Sequence, residues 1–331
     1  MILITGGAGY IGSHAVLKLL EESNHEIVVF DNLENGHLST IETLKSVRDF
    51  DFVRGDLKNQ KDLENLFQNF DIDYVIHFAA YIRVEESVQN PRKYYSNNLI
   101  GTINLLNKMI DYNVKKIVFS STAAVYGEPK YVPIDENHVK QPINPYGKTK
   151  YMVEEILDDY DKAYGLKSVR LRYFNVAGAD SENRIGEAHN PETHLIPNIL
   201  TSAADQTKIF NLFGDDYDTR DGTCVRDYVN IEDLASAHVL ALKYLERENK
   251  SDCFNIGTRE GSTVKEVFKT CEKITSKRIE VKINPRREGD PESLVADNTK
   301  AKRILNWKPN KALDDSIKTA YAWIKKSGKT P

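Results

Sequence analysis

Tyr146 and Lys150 stand four residues apart in the segment Asn144-Pro145-Tyr146-Gly147-Lys148-Thr149-Lys150. Side chains at that spacing share one face of a helix, so an ammonium beside the phenol would favour its charged form and lower its pKa. A free tyrosine titrates near pH 10, and bringing it about three units lower represents roughly 4 kcal/mol of differential stabilisation. A phenol tuned in this way can take a proton from a hydroxyl and return it at neutral pH. Asn144 suits a helix N-cap and Pro145 the first helical position, which fixes the register of the pair. A tyrosine and a lysine four apart also occur on ordinary exposed helices without any chemical role, so the neighbouring segments carry the decision. Upstream, KKIVFSSTAAVYG ends an apolar run in Ser120, Ser121 and Thr122. Hydroxyls leaving the C-terminal edge of a parallel sheet stand where α/β folds bind ligands, and Thr122 could bridge a substrate oxygen and the tyrosine.

A second chemistry is written at the N-terminus. Thr5-Gly6-Gly7-Ala8-Gly9-Tyr10-Ile11-Gly12 spaces glycines by three, directly after an apolar strand and directly before a helical segment. Glycine allows the tight turn and the close backbone approach, and a helix start presents unpaired N–H groups and a partial positive charge to a pyrophosphate. The next strand, EIVVFD, ends in Asp31 about twenty residues beyond Gly12, where a carboxylate can accept from both ribose hydroxyls of a dinucleotide. It would repel a 2′-phosphate, which favours NAD over NADP. The competing reading is a glycine-rich turn without a ligand and an Asp that only caps the following turn. Gly55-Asp56-Leu57, ending the third strand, could contact adenine or form a simple turn.

These groups need a scaffold. Short apolar runs at 2–5, 26–31, 51–54, 74–78, 116–120 and 168–172 read as buried parallel strands. Segments of helical spacing at 13–20, 61–70, 96–109 and 146–163 separate them. The βαβα alternation predicts an α/β fold, a doubly wound parallel sheet of the Rossmann type with a smaller C-terminal α/β substrate domain. The regularity weakens past Phe174: 178–197 is polar with two prolines, and 214–222 is an acidic loop bounded by glycines. The expected division is a dinucleotide-binding domain at 1–174, rejoined by 225–256, and a substrate domain at 175–224 and 257–331. His77, in YVIHFAA, reads as a satisfied core histidine, and Trp307 and Trp323 as packing of the small domain.

The 331 residues carry a formal net charge of −4, which supplies no general pull toward nucleic acid or an anionic membrane. An anionic ligand must then be held by a few specific cations. Cys224, Cys253 and Cys271 match neither a disulfide framework nor a metal-ligand spacing, so no metal is expected, and a reducing cytoplasm suits them. After Met1 the chain enters an apolar strand without a basic region or cleavage site, and no apolar run reaches about 18 residues. Neither a nucleic acid nor a membrane is an expected partner.

The TGGAGYIG loop, the SST run and the YGKTK helix together resemble the extended short-chain dehydrogenase/reductase family. LRYFNVAGAD, FGDDYDTRDGTCVRDYV and NPRREGDP narrow the resemblance to its UDP-glucose 4-epimerase branch, over essentially the whole chain. The resemblance implies NAD held by Gly6, Gly9, Tyr10, Ile11, Gly12, Asp31, Asn32, Asp56 and Leu57. It adds Phe78, Ala79, Ala80, Asn97, Ser120, Tyr146, Lys150 and Tyr173 to the same task. It implies a UDP-sugar whose C4 is oxidised to a ketone and reduced on the other face, with Tyr146, Lys150 and Thr122 catalytic. Arg226 and Arg287, with Asp290, would hold the diphosphate and the uridine ribose, since arginine's planar fork suits phosphate. Asn175, His194, Leu195, Phe213, Thr122 and Tyr146 would add contacts, and Leu294 would stand where a large residue in some relatives excludes N-acetylated sugars. A homodimer formed through a two-helix face is also implied. Many members have serine in place of Thr122, relatives often have asparagine in place of His194, and some carry a lysine at the position of Ile82, next to Arg83. Without the family, each arginine reads as a solvated or salt-bridged residue and His194 as part of a plain loop.

Two other functions compete. A nucleotide-sugar 4,6-dehydratase shares the fold, NAD and the Tyr/Lys pair, but its relatives carry carboxylates right after the SST-like hydroxyl. Ala123 and Ala124 stand there and can transfer no proton. A non-catalytic NAD-binding sensor would keep the fold without the chemistry, yet the tyrosine and the lysine are both present.

Overall fold

A computed structural model describes residues 1–205, 207–287 and 290–327. Glu288 and Gly289 of the NPRREGDP segment, and 328–331 at the end of the expected second domain, lie outside the described residues. The apolar runs form strands β1 (Ile2–Thr5), β2 (Ile27–Asp31), β3 (Asp51–Arg54), β4 (Tyr74–His77), β5 (Lys116–Thr122) and β6 (Lys167–Tyr173). Later come β7 (Asn175–Ala177), β8 (Phe210–Phe213), β9 (Val225–Asn230), β10 (Asp252–Ile256), β11 (Gly261–Thr263), β12 (Val281–Asn284) and β13 (Ser293–Leu294).

Seven of these strands form one sheet in the order β10-β6-β5-β4-β1-β2-β3, every pair parallel. Successive side chains on a strand point to opposite faces. Ile2, Ile4, Ile27, Val29, Ile76 and Val118 therefore enter one apolar core, and Leu3, Val28, Phe30, Val75, Ile117 and Phe119 the other. Helices Tyr10–Glu22 and Ile231–Glu248 cover the first face, contributing Val16, Leu20, Leu234 and Leu242. Helices Gln60–Asn69, Gly101–Asp111 and Pro145–Tyr164 cover the second with Leu66, Leu105 and Leu157. The chain winds one way from β1 and the other way from β4. This reversal opens a crevice beyond the C-terminal ends of those two strands, where ligands of doubly wound sheets bind.

The expected return of 225–256 to this sheet is divided. Helix Ile231–Glu248 and β10 do return, but β9 pairs with β7, β11 and β13 in a second, small sheet. The strand and the helix after it thus serve different layers, a division that alternation alone does not reveal. A parallel pair, β8 with β12, and helices Leu195–Ala204, Val264–Thr275 and Leu313–Ser327 complete this region around a third core containing Leu200, Val267 and Ile317.

Trp307 departs from its expected place. It is buried in the core of the large sheet, its indole N–H donating to the Asp233 carbonyl at 2.8 Å. Trp323 lies over Gly186 and donates to the Glu187 carbonyl at 2.8 Å. His77 is buried between the Thr5 and Thr102 hydroxyls, at 2.6 and 2.8 Å. Burial holds it neutral, its pKa pushed down to about 3, as befits a core histidine with both nitrogens partnered.

Candidate active site

The crevice at the sheet's turning point is a cavity of about 960 Å³ that continues toward the small sheet. Its first wall is the glycine loop. Gly6 has φ +73°, and a Cβ there would meet the Ala79 backbone nitrogen at 2.6 Å. A Cβ on Gly12 would meet the Gly6 carbonyl oxygen at 2.2 Å. No side chain caps helix Tyr10–Glu22 at Gly9, and Gly9, Tyr10, Ile11 and Gly12 all line the cavity. Such an uncapped helix start attracts an anion. Asp31 combines both readings of its carboxylate: it accepts from Ala8 N at 3.0 Å and Leu33 N at 2.8 Å, bracing the loop, and it also lines the cavity. Burial raises its pKa, opposed by those two N–H groups. Asn32 from the end of β2, Asp56 and Leu57 from the end of β3, and Phe78, Ala79 and Ala80 from the end of β4 continue the wall.

The opposite wall is the reacting one. Thr122 and Ser120 line the cavity, while Ser121, one position out of phase, turns away to donate to Glu154. Asn144 caps helix Pro145–Tyr164 by accepting from Gly147 N at 2.8 Å, and Tyr146 and Lys150 then face the cavity. The Thr122 hydroxyl stands beside the Tyr146 phenol and favours its charged form, and its oxygen accepts from Ala124 N at 3.1 Å. Ser120 and Tyr173 share a hydroxyl–hydroxyl hydrogen bond beside them.

The electrostatics differ from the sequence expectation. Burial pushes Tyr146 up to about 12, and the Thr122 hydrogen bond only partly offsets it. Burial brings Lys150 down to about 7 against the opposing charge of Glu154, and its ammonium donates to the Ser120 carbonyl at 2.7 Å. Removal from water thus outweighs the cation–phenol attraction that the spacing suggests, and Lys150 by itself does not acidify the phenol.

Beyond these groups lie the cations. Arg226 on β9 is buried, donates to the Val225 carbonyl at 2.8 Å and pairs with Asp290. The Arg287 guanidinium stacks over the Phe213 ring, 4.0 Å from its centroid. Asn175, Leu195 and Leu294 line the same end. His194 lines it too but is bonded to Glu187. Burial opposes its charge, yet Glu187 prevails and holds its pKa up at about 9.

One cavity therefore collects every residue that the family resemblance assigns to the cofactor, the substrate or the catalysis, including Asn97. It sits in a π-helical turn, Tyr95–Ile100, that interrupts the expected continuous helix. π-Bulges recur at functional sites, and here the adjacent Asn98 side chain holds both Tyr81 N and the Tyr81 carbonyl, at 2.8 and 2.9 Å. Sequence reasoning missed Tyr81, Glu34, His189 and Tyr228, which also line the cavity. Glu34 and Tyr81 stand a few residues past the ends of β2 and β4, a signal that could have found them. Arg83 lines the cavity with its guanidinium 3.9 Å from Glu86.

The chain matches the family model described as GDP-mannose 4,6 dehydratase over residues 3–320. It is 52% identical to a UDP-glucose 4-epimerase of Lactobacillus helveticus, over 98% of this chain and 97% of that one. The fold matches UDP-glucose-4-epimerase from Stenotrophomonas maltophila, solved with bound NAD and formylated UDP-arabinopyranose. The TM-score is 0.95 and the identity 39%, covering 100% of this chain and 99% of that one. A UDP-Glc/GlcNAc 4-epimerase from Campylobacter jejuni matches with a TM-score of 0.86 and 43% identity, over 98% and 99% of the two chains.

Proposed function

Because the chain belongs to the UDP-glucose 4-epimerase family of extended short-chain dehydrogenases/reductases, we propose that it interconverts UDP-galactose and UDP-glucose through a transient 4-keto sugar. One observation carries this reading: the glycine cradle, the Tyr146–Thr122–Lys150 group and the two arginines face a single cavity. The protein is an NAD-dependent isomerase. The cradle fits that cofactor on its own evidence, because side chains on Gly6 and Gly12 would fill it, the helix start is uncapped, and Asp31 would repel a 2′-phosphate. NAD, when bound, supplies the hydride acceptor and donor at C4 and the positive charge that the buried phenol lacks.

The remaining steps belong to this chain. Tyr146 takes the O4 proton as C4 becomes a ketone and returns it as the alcohol re-forms. Thr122 relays or orients that proton, and Lys150 favours the phenolate. Arg226 and Arg287 hold the diphosphate, leaving the hexose free to present either face of its ketone. Phe213, Asn175 and Leu195 complete the nucleotide and sugar pocket, while Asp290 and His194 position the groups around it. The family model bears a dehydratase name, but elimination across C5 and C6 needs a further acid and base. Ala123 and Ala124, both lining the cavity, offer neither.

Leu294 is intermediate in size between residues that exclude an acetamido group and residues that admit one, which supports additional activity on UDP-N-acetylhexosamines. Incubation with UDP-galactose is expected to yield UDP-glucose, identified by NMR, and a 4-keto-6-deoxy product would overturn the assignment. The same assay on UDP-N-acetylgalactosamine should show a lower acetylated-to-plain activity ratio in Leu294→Tyr than in the parent. An unchanged ratio would remove Leu294 from specificity.

We further infer a nucleotide-binding unit of 1–174 with helix Ile231–Glu248 and β10, and a sugar-nucleotide unit from the remainder. Exposed Ile100 and Met152, on neighbouring helices, support homodimerisation, which sedimentation at twice the 37.7 kDa chain mass would establish and monomeric sedimentation refute. Three free thiols support a cytoplasmic location. Among the described residues no helix is long and apolar enough to cross a membrane.

A further inference from the structure

The loop that leads into helix Leu195–Ala204 carries Glu187, His189, Glu192 and His194, and one ligand atom from each lies within 4.8 Å of all the others. Both imidazoles turn Nδ1 inward. His189 Nδ1 is 2.9 Å from Glu187 Oε1, and His194 Nδ1 bonds to that same oxygen. On the other side, His189 Nδ1 lies 3.9 Å from Glu192 Oε2 and His194 Nδ1 lies 3.6 Å from Glu192 Oε1. Both of these exceed a hydrogen bond. The glutamate side chains are 7% and 4% exposed, so two carboxylates are nearly out of water and face each other across two imidazoles. Two nearly buried carboxylates repel each other, and the imidazolium that Glu187 favours at His194 offsets only one of the two charges.

We propose that these four residues form a site for one divalent first-row transition-metal cation, with zinc the best match to the ligand set. Zinc takes imidazole nitrogen and carboxylate oxygen in four-coordinate sites with bonds of about 2.0–2.2 Å. Ligand atoms around it are then about 3.3–3.6 Å apart, inside the spread seen here, so closing the shell needs only small side-chain movements. A dication satisfies both carboxylates at once and turns the over-shared Glu187 oxygen and the distant Glu192 oxygen into equivalent ligands. The backbone is already held in place: Trp323 donates to the Glu187 carbonyl at 2.8 Å, and His37 Nε2 lies 2.8 Å from the Ala188 carbonyl. A second cavity of about 240 Å³, lined by Glu187, His189 and Glu192, adjoins the cluster. His189 also lies edge-on to Tyr10 of the glycine loop, with ring centroids 6.2 Å apart. The metal is therefore structural: it ties the loop beside the sugar pocket to the wall that holds the dinucleotide. The cysteine spacing that argues against a metal does not bear on this cluster, which contains no sulfur. The inference stands independently of the epimerase reading.

The test uses the purified full-length protein, stripped with a chelator, equilibrated with Zn²⁺, desalted and assayed by elemental mass spectrometry. About one zinc per chain is expected, with at least a tenfold loss of affinity in Glu192→Gln and in His189→Asn, in line with the effect of perturbing a metal's ligand environment. No retained zinc in the parent, or equal zinc in parent and variants, would overturn the site. Should both variants fail to fold, the Co²⁺-loaded parent decides the matter: intense tetrahedral visible bands support the site, and the weak bands of an octahedral ion contradict it.

Discussion

Tyr146→Phe is expected to lower kcat by about 10²–10⁴-fold, the range that positioned proton transfer contributes, while NAD content and the KM for UDP-galactose stay close to those of the parent. The substitution removes one oxygen from a side chain that is 8% exposed and packs with Tyr81 and Tyr94, so the ring's packing is kept. What is lost is the phenol beside Thr122 at the reacting wall, and with it the proposed acceptor of the O4 proton. The glycine loop, Asp31 and the ends of β3 and β4, proposed to carry most of the nucleotide contacts, are not touched by this change. Steady-state kinetics with quantification of released NAD separates the two effects. Turnover within about threefold of the parent would remove Tyr146 from the proton path and assign that step to another group. A variant that has lost NAD would make the tyrosine a cofactor ligand first.

Arg226→Met is expected to reduce kcat/KM for UDP-galactose by about tenfold to hundredfold, the scale of one lost charge-assisted hydrogen bond, roughly 1.5–3 kcal/mol. Most of the change should fall on KM, because the diphosphate is bound equally before and during the chemistry. Methionine keeps much of the arginine's stem volume, so the packing of β9 against β11 and β13 should survive. Asp290 then loses its partner but is 31% exposed in its side chain, and water can solvate much of the remaining charge. A KM within twofold of the parent would show that Arg287, stacked on Phe213, holds the phosphates without help.

The glycine cradle, the acid ending β2 and the Tyr146/Lys150 register were legible because each is local. A strand, a turn and a helix in sequence place Gly6, Gly12 and Asp31 without reference to the rest of the fold, and Asn144 with Pro145 sets the helix that carries the pair. The large sheet was legible for the same reason, since its strands are continuous apolar runs buried on both faces. Features that depend on long-range pairing were not. The strand β9 joins the small sheet while the next helix joins the large one, and Trp307 fills the large core from the far end of the chain. At Tyr146 and Lys150, burial raises the one pKa and lowers the other, and burial is a property of the whole fold that local spacing does not show. The substrate residues were readable only through family resemblance, because an arginine's charge says nothing of whether it ends in solvent or, like Arg226, beneath an aspartate. The cluster at Glu187, His189, Glu192 and His194 was missed because its spacing matches no metal motif, and only the turn of the loop brings the four side chains together.

In the proposed reaction one site removes and restores the hydrogen at C4 with its own retained cofactor. UDP-galactose deuterated at C4, incubated with the purified protein and no added NAD, tests it directly. UDP-glucose that still carries deuterium at C4 is the expected product. Loss of the label to solvent, or conversion only when NAD is supplied, would contradict it.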